Sequence, residues 1–345
     1  MKNTQQATKK RRNIILAIIA VVLAAVFAFG IYWGTKAFSR YPGPKQRIFI
    51  QVGADNDGIR DALVSQLGDY GADVAALLKL RDAAPQKAAG SYVIMPGDRA
   101  WSVMNRLRVG VQTPVRLTIN QIRTMQQLAQ KISETMMFSD KDFIAACDSV
   151  LPVLGYKKEQ FPASFIPDTY EFFYTTPATD VVRSLTRYHE KFWDRDRTAK
   201  AQALGLTAAE IATIASIVEE ESSKQDEWPK IARLYLNRLD RGMKLQADPT
   251  VKYALGDFAI RRVTHAMLDT DSPYNTYRHE GLPPGPIRIP EKAAIDAVLN
   301  APLHDYIYMC AREDFSGYHN FACDLATHNA NARRYQATLD ARGIK

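Results

Sequence analysis

Cysteine is scarce in this chain. Cys147, Cys310 and Cys323 form an odd set, which excludes a fold resting on a disulfide framework, although a Cys310 to Cys323 bridge stays open. Neither C-x-x-C nor H-E-x-x-H occurs. Cys310, His319, Cys323 and His328 are metal-ligand types at irregular spacing, so satisfied histidines are the default and neither a metal nor a cofactor is expected. Internal repeats and low-complexity tracts are absent. Excess charge is also missing from most of the chain. Of the formal net charge of +8, Lys2, Lys9, Lys10, Arg11 and Arg12 supply +5 with no acid among them, which leaves +3 for the rest. A near-neutral body argues against a nucleic-acid partner and assigns the basic character to the amino-terminal tail.

The long hydrophobic run follows that tail. Ile14 to Trp33, IILAIIAVVLAAVFAFGIYW, is twenty uncharged residues. As a helix it covers about 30 Å, the thickness of a bilayer's hydrocarbon core. Basic residues on its amino side predict that this end stays in the cytoplasm and that everything after Lys36 is exported, with Tyr32 and Trp33 at the outer interface. A cleaved signal peptide is the competing reading, but the run is longer than a usual h-region and no small-x-small site follows. We therefore expect a cytoplasmic basic tail at 1–12 and a single-pass anchor in the cytoplasmic (inner) membrane at 13–33. A short linker carrying Pro42, Gly43 and Pro44 is expected at 34–45.

The remaining residues suffice for two or three domains, and the pattern reads as α+β. Residues 46–118 resemble a small α+β module: a strand near Ile48 to Val52, a helix carrying Ile59, Leu63 and Leu67, then a second helix and strand. Its clearest piece is GSYVIMPGDRAWSVMNRLRVG. The strand ends at Pro96-Gly97, Asp98 is placed to cap the next helix, and Ala100, Val103, Met104 and Leu107 share one face. Strand, turn and short helix in this order resemble the LysM-like module of cell-wall proteins. From 119 to 345 a mixed α/β domain is expected, with helices at Met125 to Met136, Val181 to Trp193 and Lys230 to Arg241. Within it, FIPDTYEFF reads most simply as core, yet Asp168 and Glu171 beside Tyr170 could face a cleft.

IATIASIVEEES, residues 211–222, is the segment richest in chemistry. With Ile211 at zero on a helical wheel, Ile214, Ala215 and Val218 share its face, Glu219 and Glu221 lie at the two edges, and Glu220 points away. A carboxyl at a buried margin has its charged form desolvated, which raises its pKa toward that of a general acid. The wheel sets Glu220 aside and prefers Glu219 to Glu221 only modestly. A surface helix with a solvated acidic end is the simpler alternative.

Three polar loops follow. KLQADPT offers Gln246, Asp248 and Thr250; SPYNTY offers Tyr274, Asn275, Thr276 and Tyr277; GLPPGPI is stiffened by prolines. Amides and hydroxyls match sugar hydroxyls and tyrosine rings stack on sugar faces, although Asp-Pro-Thr and Pro-Pro-Gly are also ordinary turn chemistry.

IASIVEEES, NRLDRGMKLQADPTVKYALG, SPYNTY, GLPPGPI and the late His319, Phe321, His328 and Asn329 together resemble the YceG-like endolytic murein transglycosylases, in order and over nearly the whole chain. That resemblance implies a YceG-like domain at 119–345 and cleavage of the MurNAc-GlcNAc β-1,4 bond of peptidoglycan glycan strands, leaving 1,6-anhydroMurNAc ends. It implies Glu219, the first acid of the SIVE motif, as catalytic residue, with Gln246, Asp248, Tyr274, Asn275 and Thr276 around the glycan, to which the loop chemistry adds Thr250 and Tyr277. It further implies termination of strand elongation and peptidoglycan synthases as partners. The chain departs from the pattern at VRLTINQIRTMQQLA, at Arg288-Ile289-Pro290-Glu291 and at Cys323. Two alternatives remain: a glycan-binding scaffold without cleavage, and a hydrolytic muramidase using Asp248 or Asp168 as second carboxylate.

Overall fold

A computed structural model describes residues 2–81, 84–260 and 262–343, with side chains in the first helix from Lys9 onward. Part of the expected basic tail (Met1 and the Lys2 side chain) and the last two residues of the expected 119–345 domain lie outside the described residues. The chain forms two compact units, Met1–Val115 with Glu171–Thr175, and Arg116–Tyr170 with Thr176–Lys345.

The first unit contains α1 (Lys2–Phe38), β1 (Gln46–Ile50), α2 (Asn56–Leu67), α3 (Asp69–Leu80), α4 (Pro85–Ala88), β2 (Gly90–Ile94) and α5 (Ala100–Val109). The apolar stretch of α1 is unburied. The expected linker at 34–45 is folded instead. α1 continues to Phe38, Trp33 and Ala37 pack on the unit's core, Lys36 Nζ pairs with Asp73 at 2.7 Å, and Tyr41 is itself core. These side chains supply an apolar seam that prolines at 42 and 44 do not interrupt. β1 and β2 run antiparallel, with Ile48 opposite Tyr92, and α2 and α3 lie between them in sequence. Ala100, Val103, Met104 and Leu107 are all buried, as their spacing predicts. Asp98 does not cap α5; Arg99 holds that position, while the Asp98 carboxylate accepts from the Met95 N–H and Arg106 and closes the turn.

The second unit is mostly helical rather than evenly mixed. Its elements are β3 (Val115–Ile119, all but Val115), α6 (Met125–Ser133), α7 (Asp140–Val150), β4 (Asp168–Phe172, whose Glu171 and Phe172 belong to the first unit), α8 (Ala178–Phe192), α9 (Arg195–Ala203), α10 (Ala208–Glu221), α11 (Trp228–Asp240), α12 (Asp248–Leu255), α13 (His265–Leu268), α14 (Lys292–Leu299), β5 (Tyr308–Ala311), β6 (His319–Ala322) and α15 (Leu325–Ala341). The strands are short. β5 and β6 form an antiparallel pair, and Thr118 Oγ1 meets Thr169 Oγ1 at 2.9 Å where β3 pairs with β4.

α10 is the axis of this unit. Thr207 and Glu210 start it with a reciprocal capping box. The wheel predicts one buried face, but every residue from Ile211 to Val218 is buried. The polar exceptions are satisfied within the helix: Thr213 Oγ1 donates to the Ala209 carbonyl and Ser216 Oγ to the Thr213 carbonyl. Around it lie Ile231, Ala232 and Tyr235 of α11 and Ala294, Ile295 and Val298 of α14.

The GLPPGPI loop docks on the same helix, Ile287 N–H donating to Ser216 Oγ at 3.0 Å. Gly285 is required by a close approach, since a Cβ there would lie 1.9 Å from the Glu159 carbonyl oxygen. Backbone cannot yield as a flexible side chain does. Gly285→Ala is therefore expected to lower stability by about 3 kcal/mol, read by urea unfolding. An unchanged midpoint would refute the close approach.

Candidate active site

The three glutamates at the end of α10 leave the same buried helix in three environments. Glu219 is bound at both oxygens: Oε1 pairs with Arg288 Nη2 at 2.9 Å and Oε2 accepts from the Glu291 N–H at 2.8 Å. Glu220, expected to point into solvent, is instead locked in ion pairs. Its Oε1 takes Arg288 Nη1 at 2.7 Å and Arg123 Nε at 3.2 Å, and its Oε2 takes Arg123 Nη2 at 3.0 Å. The burial of α10 from Ile211 to Val218 on every side explains the difference, because packing brings Arg288 and Arg123 against the side of the last turn that the wheel assigns to solvent. Glu221 Oε1 accepts from the Tyr235 hydroxyl at 2.7 Å, and among the described residues Glu221 forms no ion pair.

Burial pushes the carboxyls of both Glu219 and Glu221 up to about 7. At Glu219 the Arg288 guanidinium and the Glu291 N–H oppose the rise; at Glu221 the Tyr235 hydrogen bond opposes it and the charge of Asp248 adds to it. Titration alone therefore does not distinguish them. Their surroundings do.

Glu221 faces a polar cavity of about 280 Å³ lined by Tyr235, Arg238, Gln246, Asp248, Tyr277 and His319, among others. Glu219 faces a different one, about 550 Å³, with Gln121, Arg123, Gln127, Ser222, Ser223, Gln225, Trp228, Arg288 and Glu291. Of the seven residues expected around the glycan, Gln246, Asp248 and Tyr277 are brought together, and they surround Glu221.

Thr250 and Thr276 have another position. Both are buried, and their hydroxyls meet at 2.8 Å; Thr276 Oγ1 also accepts from the Ala247 N–H and the Thr276 carbonyl from the Gln246 N–H. They staple the KLQADPT and SPYNTY loops together. Asn275 is buried and donates through Nδ2 to the carbonyls of Leu268 and Thr270, which fixes the second loop. Tyr274 packs on Tyr253 with ring centroids 4.7 Å apart.

The staple sets up the cavity wall. Gln246 is held at φ 53°, a left-handed backbone that a non-glycine residue adopts only when its surroundings impose it. Tyr277 OH donates to Asp248 Oδ1 at 2.6 Å. The buried Arg238 donates to the carbonyls of Ile307, Lys244 and Leu245 and reaches Gln246 Oε1 at 3.3 Å. His319 is oriented by Glu227, which takes its backbone N–H at 3.0 Å and meets its Nδ1 at 2.9 Å.

Sequence reasoning did not single out Tyr235, Arg238, Arg288 or Arg123. The usable signal for the first two was their spacing on α11, Tyr235 and Arg238 being one turn apart. Asp168, a candidate second carboxylate, is occupied. Burial works to raise its pKa, but hydrogen bonds from Lys292 and Tyr188 outweigh it and hold the carboxyl at about 2. Cys310 and Cys323 are both free thiols, and His328 stacks on Tyr308.

Comparison with known proteins agrees with this architecture. A Bacillus subtilis (strain 168) endolytic murein transglycosylase is 29% identical over 266 residues, 72% of this chain and 72% of that protein. One from Streptococcus pneumoniae (strain ATCC BAA-255 / R6) is 30% identical over 258 residues, covering 65% of this chain and 46% of that longer protein. The crystal structure of a yceG-like protein from Listeria monocytogenes superposes with a TM-score of 0.56 at 25% identity, covering 83% of this chain and 98% of that one. Residues 48–334 match the YceG-like family, and the chain belongs to it.

Proposed function

We propose that this protein is a lytic endotransglycosylase, anchored in the cytoplasmic membrane by α1, that cuts the MurNAc-GlcNAc β-1,4 bond of peptidoglycan strands. We further propose that the acid is Glu221, although the family motif suggests Glu219. The observation that carries both is a carboxyl able to hold a proton near neutral pH, facing a cavity with an amide, a second carboxylate, a phenol and an imidazole. Glu219 lacks that freedom, because an arginine and a backbone N–H already occupy its two oxygens.

In this reading Glu221 donates its proton to the glycosidic oxygen as the bond to C1 breaks. The carboxylate left behind keeps the Tyr235 hydrogen bond. It then takes the proton of the muramic C6 hydroxyl as that oxygen attacks C1, closing the 1,6-anhydro ring and restoring the acid. No water enters the products. Asp248, oriented by Tyr277, puts negative charge beside the positive charge that develops at C1. Hydrolysis would need it to act on water or carbon instead.

The apolar α1 supports a body tethered outside the membrane, and the first unit's antiparallel β1 and β2 with α2, α3 and the short α4 between them suit a LysM-like glycan-holding role. Cutting strands there would terminate their elongation, which makes peptidoglycan synthases the fitting partners.

Product masses from uncrosslinked glycan decide between the reactions. Anhydro ends are expected; reducing ends would mean a hydrolase, and uncut strands a scaffold. Glu221→Gln should lower turnover by about 10³-fold with stability at neutral pH no lower than that of the unmodified protein. Glu219→Gln should instead cost about 2 kcal/mol of stability and less than about tenfold in rate. The reverse pattern would return the acid to Glu219.

Because Glu221 must carry a proton to donate it, kcat/KM should fall as pH rises through about 7. Tyr235→Phe removes a hydrogen bond that favours the carboxylate, so the alkaline limb should move to higher pH. Asp248→Asn removes a negative neighbour and should move it lower. Limbs that stay in place would exclude Glu221 as the titrating acid.

A further inference from the structure

The end of α1 is built into the first unit. Trp33 and Ala37 pack on its core, the Ser39 carbonyl accepts from the Ala100 N–H at 3.0 Å, and Arg40 bridges to Arg99. This splint fixes which part of the unit lies beside the point where α1 leaves the bilayer. If the span ends at Trp33, the reading proposed above and on which this inference rests, Phe38 stands about 7.5 Å further along the helix axis. The headgroup layer on each side is roughly 5 to 8 Å deep. Phe38 and the residues touching it are therefore at headgroup level.

What the unit exposes there is unusual for a soluble face. Phe38 is 66% exposed, and Trp101, which follows the Ala100 whose N–H binds Ser39 just beyond Phe38, is 39% exposed. The Arg99 guanidinium sits 5.6 Å from the Phe38 ring centroid and that of Arg81 5.6 Å from the Trp101 ring. Arg40, Arg81 and Arg99 are exposed. Among the described residues, Asp98 beside Arg99 is committed to Arg106 and Asp73 to Lys36. Among the described residues none of the three arginines has a carboxylate partner. Exposed aromatic rings overlaid by exposed guanidiniums match an interface whose inner part is apolar and whose outer part is anionic.

We propose that Phe38, Arg40, Arg81, Arg99 and Trp101 form a lipid-facing surface that binds anionic phospholipid headgroups in the outer leaflet of the membrane crossed by α1. The rings enter the headgroup layer and the arginines pair with phosphates, so the first unit rests on the bilayer instead of swinging above it.

The test uses the full chain in nanodiscs of phosphatidylcholine, with or without phosphatidylglycerol, doped with brominated lipid that quenches nearby tryptophan. Subtracting the signal of Trp101→Phe isolates Trp101 among the four tryptophans. Trp101 quenching is expected to be about twofold or more stronger with phosphatidylglycerol, and to lose that excess in high salt and in Arg40→Glu/Arg99→Glu. The salt arm uses the unmodified protein and does not depend on the variant folding. Equal quenching in both lipids, or an excess that salt leaves intact, would overturn the proposal. Trp33, isolated in the same way with Trp33→Phe, separates the two failures. If Trp33 is unquenched, α1 does not span and the underlying reading falls; if Trp33 alone is quenched, only the lipid-facing surface falls.

Discussion

Everything at the candidate active site follows from the burial of α10 around its whole circumference. A helix packed on one side lets a terminal carboxylate turn toward water. Here the last turn carries three successive glutamates at 100° steps, each only partly exposed, at the end of a stretch that is buried on every side. The helix C-terminus itself disfavours negative charge, so each must be neutralised, paired or protonated. Arg288 and Arg123 serve the first two, and Glu221 receives a phenol and a cavity. Three identical side chains thereby acquire different chemistry from position alone.

The cavity depends in turn on groups that never face it. Thr250 and Thr276 meet inside the protein and bind two loops into one wall. Arg238 ties that wall to the strand side through the Ile307 carbonyl. With so many backbone groups anchored, Gln246 can be kept in a left-handed conformation that an isolated loop would relax. Polar residues in a loop are thus divided between those that hold it and those that it presents, and the holding ones are as necessary as the others.

The sequence made much of this legible, though unevenly. Local chemistry located α5 and its buried face, and the Thr207 capping box marks where α10 begins. The wheel separates Glu219 and Glu221 from Glu220, whereas in the fold Glu219 and Glu220 share Arg288 and Glu221 receives Tyr235. The wheel's grouping fails because hydropathy periodicity assumes a solvent side and α10 has none from Ile211 to Val218. Arg288 lies 68 residues from Glu220 and Arg123 lies 97 away, so no local pattern could announce their pairing. The linker at 34–45 misled for a related reason: its prolines and glycine read as loose, while Trp33, Ala37 and Tyr41 supplied a seam that only the folded partner reveals. Turn-forming threonines and asparagine carry no mark that separates a staple from a ligand.

The same burial that gives Glu221 its proton has a cost elsewhere. An ordinary glutamate in the unfolded chain ionises near 4.5, while Glu219 and Glu221 in the fold hold their protons to about 7. Between those values the unfolded state binds fewer protons than the native one. Stability from these two groups therefore declines as pH rises through that window and then levels off. For Glu219 the ion pair with Arg288 offsets part of the penalty. For Glu221 the Tyr235 hydrogen bond does so. A carboxyl that destabilises the fold it sits in, while the loops around it are stapled rigid, has the energetics expected of a group kept for its chemistry and not for its packing.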